Sequence, residues 1–234
     1  MQPRLRIRTL LLAAGLALRS AIVPAGAPTH ESLAAHGIEG PAAEVLLAAF
    51  AGAAREGLPA AALRARLDEG LAKDAGAAAV AEAVARRLEM LRQARELLSP
   101  DADRARPEPH EAEAALVNLA RALESGVPAE VFADVFPRGR GAFSPRAQAL
   151  VEAAERLHLA GVGADAVAQF LRDALDRELR RMEALRAAEF WIRRHREGVA
   201  PEDIRRALWG ARSPGAGRHD DEPGRGPHRR RRNQ

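Results

Sequence analysis

Glu155-Arg156-Leu157-His158 sets a carboxylate and an imidazole three residues apart on a helical stretch, the Glu-x-x-His spacing with which di-iron helical bundles hold their metals. Such a centre takes two copies of the pair plus two further glutamates. Only one copy is present, so a surface pair is expected rather than a ligand set. The remaining histidines, His30, His36, His110, His195, His219 and His228, form no HExxH pair. Ser20, Ser32, Ser99, Ser125, Ser144 and Ser213 include no Gly-x-Ser-x-Gly elbow. Neither the run from Gly139 to Phe143 nor that from Pro214 to Arg218 has the Gly-Lys-Ser/Thr ending of a phosphate loop. Glu82, Glu89, Glu96, Glu111 and Glu113 lie on stretches otherwise rich in Arg, where a solvated face accounts for them. The chain has no Cys, which excludes a disulfide framework, a thiolate metal site and a cysteine nucleophile. No catalytic, cofactor-binding or metal-ligating residue is therefore assigned, and an enzyme with an unrecognised site stays as a secondary reading.

The other residues able to do chemistry are the cations at the C-terminus. Arg229, Arg230, Arg231 and Arg232 form a dense positive run at the end of a segment, 212–234, that is rich in Gly, Pro and charge and has no apolar periodicity. That segment is expected to be a disordered basic tail. On an exported protein the run would contact anionic lipid or an anionic envelope polymer, at about 1 kcal/mol per Arg on a charged membrane surface. In the cytoplasm it would suggest nonspecific nucleic-acid contact, which is not expected of an exported chain.

Charge is distributed unevenly around this tail. The whole chain carries 36 Lys and Arg against 32 Asp and Glu, a formal net charge of +4. Residues 1–25 hold four Arg and no acid, and residues 212–234 hold seven Arg and three acids. Between them 25 basic residues face 29 acidic ones, so the middle is mildly acidic. Aromatic residues make up only 3 % of the chain, with no Tyr, which leaves few rings to stack on bases.

Residues 1–27 have the three-part order of a secretory signal: a basic start (Met1 to Arg8), an apolar run (Thr9 to Leu18) and a small-residue region (Ala21 to Ala27), with 1–25 as the signal peptide. Ten apolar residues are too few to span a bilayer. Cleavage near 25–27 is expected, preferably after Ala25, because Pro28 directly follows the alternative site at Ala27. Residues 26–40 are then a flexible N-terminal segment.

The elements that would position any site come from a repeated turn. Gly57, Gly126, Gly161 and Gly198 are each followed by an apolar residue, Leu58, Val127, Val162 or Val199. The sixth position after the glycine is Leu63, Phe132, Val167 or Ile204, and the tenth is Leu67, Phe136, Leu171 or Leu208. Seven positions before it stand Phe50, Leu119, Ala154 and Trp191, and ten before it Leu47, Leu116, Val151 and Ala188. A helix closed by a left-handed glycine, an apolar residue folding back, and a second helix with one apolar face is the pattern of an αα-hairpin. The glycines lie about 35 or 70 residues apart, the spacing of helical-pair repeats. A degenerate copy places Asp74 in the glycine slot, with Val80 and Val84 after it.

The expected fold is all-α, a helical-repeat or bundle-like array of consecutive antiparallel helix pairs. Its eight or so helices are at 41–56, 59–73, 77–98, 110–125, 129–136, 145–160, 164–196 and 201–210. A helical half at 41–98 and another at 110–211 are joined by a Pro-rich linker, 99–109. Residues 164–196 contain no Gly, Pro, Ser, Thr or Asn and are read as one long helix of about 50 Å. Its stripe of Leu171, Leu175, Leu179, Met182, Leu185 and Trp191 or Ile192 serves as core, with a coiled-coil homodimer as the alternative. The functional expectation is an exported, periplasmic or secreted, non-enzymatic scaffold with an unidentified protein partner.

Overall fold

The computed structural model describes residues 27–98, 108–136 and 144–210, and among these the chain is helical with no strands. The elements are α1 (His30–Ala34), α2 (Gly40–Glu56), α3 (Ala60–Ala72), α4 (Ala77–Leu98), α5 (Pro109–Glu124), α6 (Ala129–Val135), α7 (Pro145–Leu159), α8 (Ala164–Asp176), α9 (Arg181–Arg196) and α10 (Pro201–Trp209). The leader 1–25, nearly all of the 99–109 linker and the tail 212–234, with Arg229 to Arg232, lie outside the described residues.

The repeated turn is a Schellman cap in all four copies. Gly57, Gly126, Gly161 and Gly198 have φ of 65°, 98°, 84° and 78°, a region that costs glycine little. In each copy the next residue's N–H reaches back five positions. Leu58 donates to Ala53 O at 2.9 Å, Val127 to Ala122 O, Val162 to Leu157 O and Val199 to Arg194 O at 3.1 Å each. Leu63, Phe132, Val167 and Ile204 at the sixth position are buried, as are Phe50, Leu119, Ala154 and Trp191 seven positions before the glycine. Asp74 fills the glycine slot as expected, at φ 53°, with Ala75 N–H donating to Gly70 O and both Val80 and Val84 buried. Pro59 and Pro128 stand one residue earlier than a first-turn proline, as the N-caps of α3 and α6.

Two expectations are corrected. The 26–40 segment is not loose: it carries α1, closed at Thr29 by a reciprocal capping box with Ser32, and buries Leu33 and Ile38 in the core. Gly37, at φ 70°, turns the chain there with the same cap. A five-residue helix is too short to show periodicity in sequence. The second correction concerns 164–196, which is two helices. Glu178 adopts φ 53°, Leu179 N–H donates to Ala174 O, and the chain restarts at Arg181. The Arg146 guanidinium on α7 donates to the carbonyls of Ala174 and Leu175, satisfying the exposed end of α8.

The break lets the apolar stripe fold onto the rest of the chain. A straight helix of about 50 Å would outrun α4, whose 22 residues span about 33 Å, and leave part of its stripe in water. Instead Leu171, Leu185 and Trp191 are buried, Leu175, Leu179 and Ile192 pack partly against the core, and Met182 is 57 % exposed. Asp173 keeps a long i,i+4 contact with Arg177, at 3.8 Å, while its closer partner is on another helix. Asp173 turns to Arg205 and Glu189 to Arg156.

Helix α2 packs on α4, α4 on α5, α5 on α7, and α7 on α9. The shorter helices lie against this series, α3 on α4, α6 and α10 on α8 and α9 respectively, and α8 also on α7. Buried residues on either side of the linker belong to one continuous cluster of mainly Ala, Leu and Val, with Trp191, Phe50, Phe132 and Phe170 as its largest members.

Candidate interaction surface

Across α5, α7 and α9 runs a polar cleft of about 290 Å³ lined by Asn118, Arg121, Gln148, Ala149, Glu152 and Arg181. On α5, half-buried Asn118 borders the stripe of buried Ala115, Leu119 and Ala122, and Arg121, three residues on, is exposed. Asn118 Nδ2 donates to Gln148 Oε1 across the helix pair at 3.4 Å, a long bond. A carboxamide has two donors and two acceptor lone pairs, so both side chains keep capacity for a further partner. At the α9 end, Arg181 Nη2 stands 3.8 Å from Glu152 Oε2, while Glu152 is already paired to Arg156 at 2.6 Å. Arg181 is thus a largely exposed cation whose nearest carboxylate is shared.

The cleft floor is braced by ion pairs between successive helices. Five residues before their capping glycines, Arg121 and Arg156 each reach the next helix of the series. Arg121 binds Glu155 Oε2 at 2.9 Å, and Arg156 Nη1 lies 3.4 Å from Glu189 Oε1. Ser125 Oγ donates to the other oxygen of Glu155 at 3.0 Å. The two members of the Glu-x-x-His pair have different neighbours. Glu155 is a brace between α5 and α7, and His158 Nε2 packs over Gly126, 2.9 Å from where a Cβ on that glycine would stand. Among the described residues no three His, Asp or Glu side chains are grouped as a metal site. Glu82, Glu89, Glu96 and Glu113 are exposed, in keeping with a solvated face.

Two further charge clusters are interior and hold helices rather than line the cleft. Glu124, at the end of α5, is clamped by Arg66 Nε at 3.1 Å from α3 and Arg87 Nη2 at 2.6 Å from α4. Those cations offset a carboxylate placed at the negative end of a helix. Burial lowers the Arg87 guanidinium from its usual value, with Glu124 acting in the other direction. Asp173 is the one buried charged residue among those described, at 4 % exposure. It accepts from Arg205 Nε at 2.6 Å and Nη2 at 3.1 Å, and from Gln169 Nε2 at 3.2 Å, clasping α10 onto α8. Its hydrogen bond holds the Arg205 guanidinium above its ordinary value.

Sequence reasoning assigned Arg229 to Arg232 as an anionic-surface contact, and these lie outside the described residues. It missed the cleft. One signal was present: Asn118 is the only asparagine before Asn233 and interrupts an Ala- and Leu-rich helix that asparagine does not favour. No described helix is long and apolar enough to cross a membrane. Compared with protein-family models, curated proteins and solved structures, the chain matches none of them.

Proposed function

We propose that the chain is an exported, non-enzymatic helical-repeat protein whose consecutive antiparallel helix pairs present a binding surface to another protein. The observation that carries this reading is the cleft of Asn118, Arg121, Gln148, Glu152 and Arg181, which spans three helices and offers amide and guanidinium groups with spare capacity. The recurrence of one capped turn at spacings near 35 residues supports the repeat, and repeat folds commonly present extended binding faces. Three-part ordering of residues 1–27 supports export. Retention of one envelope protein by the full chain, and its loss with Asn118→Leu plus Gln148→Leu, is the expected result of an affinity capture. Equal retention by both, or none by either, overturns the assignment of the cleft. Recovery of the chain from the cytoplasm with Met1 intact overturns export.

A second reading rests on Arg229 to Arg232: an envelope-surface binder in which the tail supplies affinity for anionic lipid or polymer. It requires that sedimentation with anionic vesicles be lost on deleting 212–234 and weakened by salt, and salt-independent binding sinks it.

A further inference from the structure

The series α2, α4, α5, α7, α9 ends in two helices that differ in charge. Between Gly26 and Ala54 the chain has Glu31, Glu39 and Glu44 and no Lys or Arg. At the other end, α9 carries five Arg against two Glu. The solvent-facing side of α2 displays Glu44, Val45, Ala48 and Ala51, with Val45 43 % exposed, and Arg55 lies on the same side about three turns away, donating to Ala51 O. Among the described residues Glu44 has His30 as its only ion-pair neighbour, at 3.7 Å, and its side chain is 71 % exposed.

On α9 the inter-helix pairing runs out. Arg121 and Arg156, five residues before their glycines, each bind a glutamate on the following helix. Arg193 holds the same place before Gly198, and no helix of the series follows. Among the described residues it has no carboxylate partner and lies over its own neighbour Phe190, 5.6 Å from the ring centroid. Arg186, about two turns earlier on the same exposed side, likewise has no carboxylate partner among the described residues. A shallow recess of about 420 Å³ borders Glu189, Ile192, Arg193, Arg196 and Glu197.

We infer that α9 of one copy docks on α2 of a second copy, head to tail, with Arg186 and Arg193 facing the acidic α1–α2 end and Glu44 as their carboxylate. Charge decides the mode. A symmetric α9–α9 contact would set Arg186 and Arg193 against their own copies, which costs free energy, whereas α9 on α2 gives them Glu44. A heterologous contact leaves one face free on each end copy, so mass grows past two chains with concentration, into a filament or, where the rotation closes, a ring.

Sedimentation equilibrium of the full chain, taken up to about 1 mM so that a weak contact is populated, tests this. The weight-average mass is expected to climb steadily above 25.1 kDa, and to fall back as salt shortens the screening length. Glu44→Arg alone, and Arg186→Glu with Arg193→Glu, should each remain at the single-chain mass with unchanged helical circular dichroism. Mixing the two restores association, because the intact faces pair with each other and the two reversed faces are again opposite in sign. A wild type that stays at 25.1 kDa throughout overturns the inference. So does association that survives both variants. Loss with the α9 variant alone, with no effect of Glu44→Arg, also overturns it and points to α9 pairing with itself.

Discussion

Asp74 and Glu178 hold left-handed backbone without being glycine, and each therefore bears a strain of about 1–2 kcal/mol. Glycine would remove it at an unfolded-state entropy cost of about 0.5–1 kcal/mol. Asp74→Gly and Glu178→Gly should each stabilise the chain by roughly 0.5–1 kcal/mol in urea unfolding. At Glu178 the sign discriminates sharply, because glycine inside a continuous helix would instead destabilise by about 1 kcal/mol. At Asp173, replacement by Asn leaves Arg205 without its counter-charge and should cost on the order of 2 kcal/mol. The loss is local: amide exchange should rise first in α10, and a uniform rise across all helices would contradict the clasp. Protons report on a third residue. Hydrogen bonds from Lys73 and then Arg66 lower the Glu69 carboxyl from 4.5 to about 2. A depressed carboxylate stabilises the fold above its unfolded value, and that contribution disappears as pH falls from about 4.5 to about 2. Glu69→Gln should accordingly lose less stability than wild type over that acid range, and parallel losses would show that the pairing adds nothing to the folded state.

At the scale of elements, the division of 164–196 determines which face of α9 is core. Trp191 is 1 % exposed and touches Phe170 edge-on at 5.7 Å, whereas Met182, on the stripe that a long coiled coil would bury, is 57 % exposed. Trp191→Ala should cost about 3–5 kcal/mol, and Met182→Ala no more than about 0.5 kcal/mol. Comparable losses at both positions would favour the unbroken helix. The hairpin register was legible because each glycine fixes the end of one helix and so fixes the phase of both apolar faces beside it. Nothing local marks Arg177 to Arg180 as a turn. The strain at Glu178 is offset by burying Ala184, Leu185, Ala188 and Trp191, with large side chains each worth about 1.5–3 kcal/mol. Arg146, more than two dozen residues earlier, completes the end of α8.

For the whole molecule, the question is whether the two sides of the linker act as one body. Helices α4 and α5 pack together across it, and the buried cluster is continuous. A single cooperative transition is expected, and the tryptophans make it testable, since Trp191 and Trp209 both lie on the C-terminal side of the linker. Fluorescence therefore reports one side while circular dichroism reports all helices. Coincident urea transitions support one cooperative unit, and a fluorescence midpoint displaced from the helical one would show two.

The sequence by itself determined the all-helical fold, most helix boundaries to within a residue or two, and the buried face of each hairpin. These follow from caps and periodicity, which act over one or two turns of chain. Tertiary structure decided where 164–196 divides, that α1 packs, and which of the many Arg and Glu side chains meet. Glu155 finds Arg121, Asp173 finds Arg205, and Asn118 finds Gln148, all about 30 residues apart. In a chain with 35 arginines and one lysine, charge is too plentiful for spacing to single out those partners. The candidate cleft was hidden for the same reason, because its residues come from three helices and share a surface only after those helices pack.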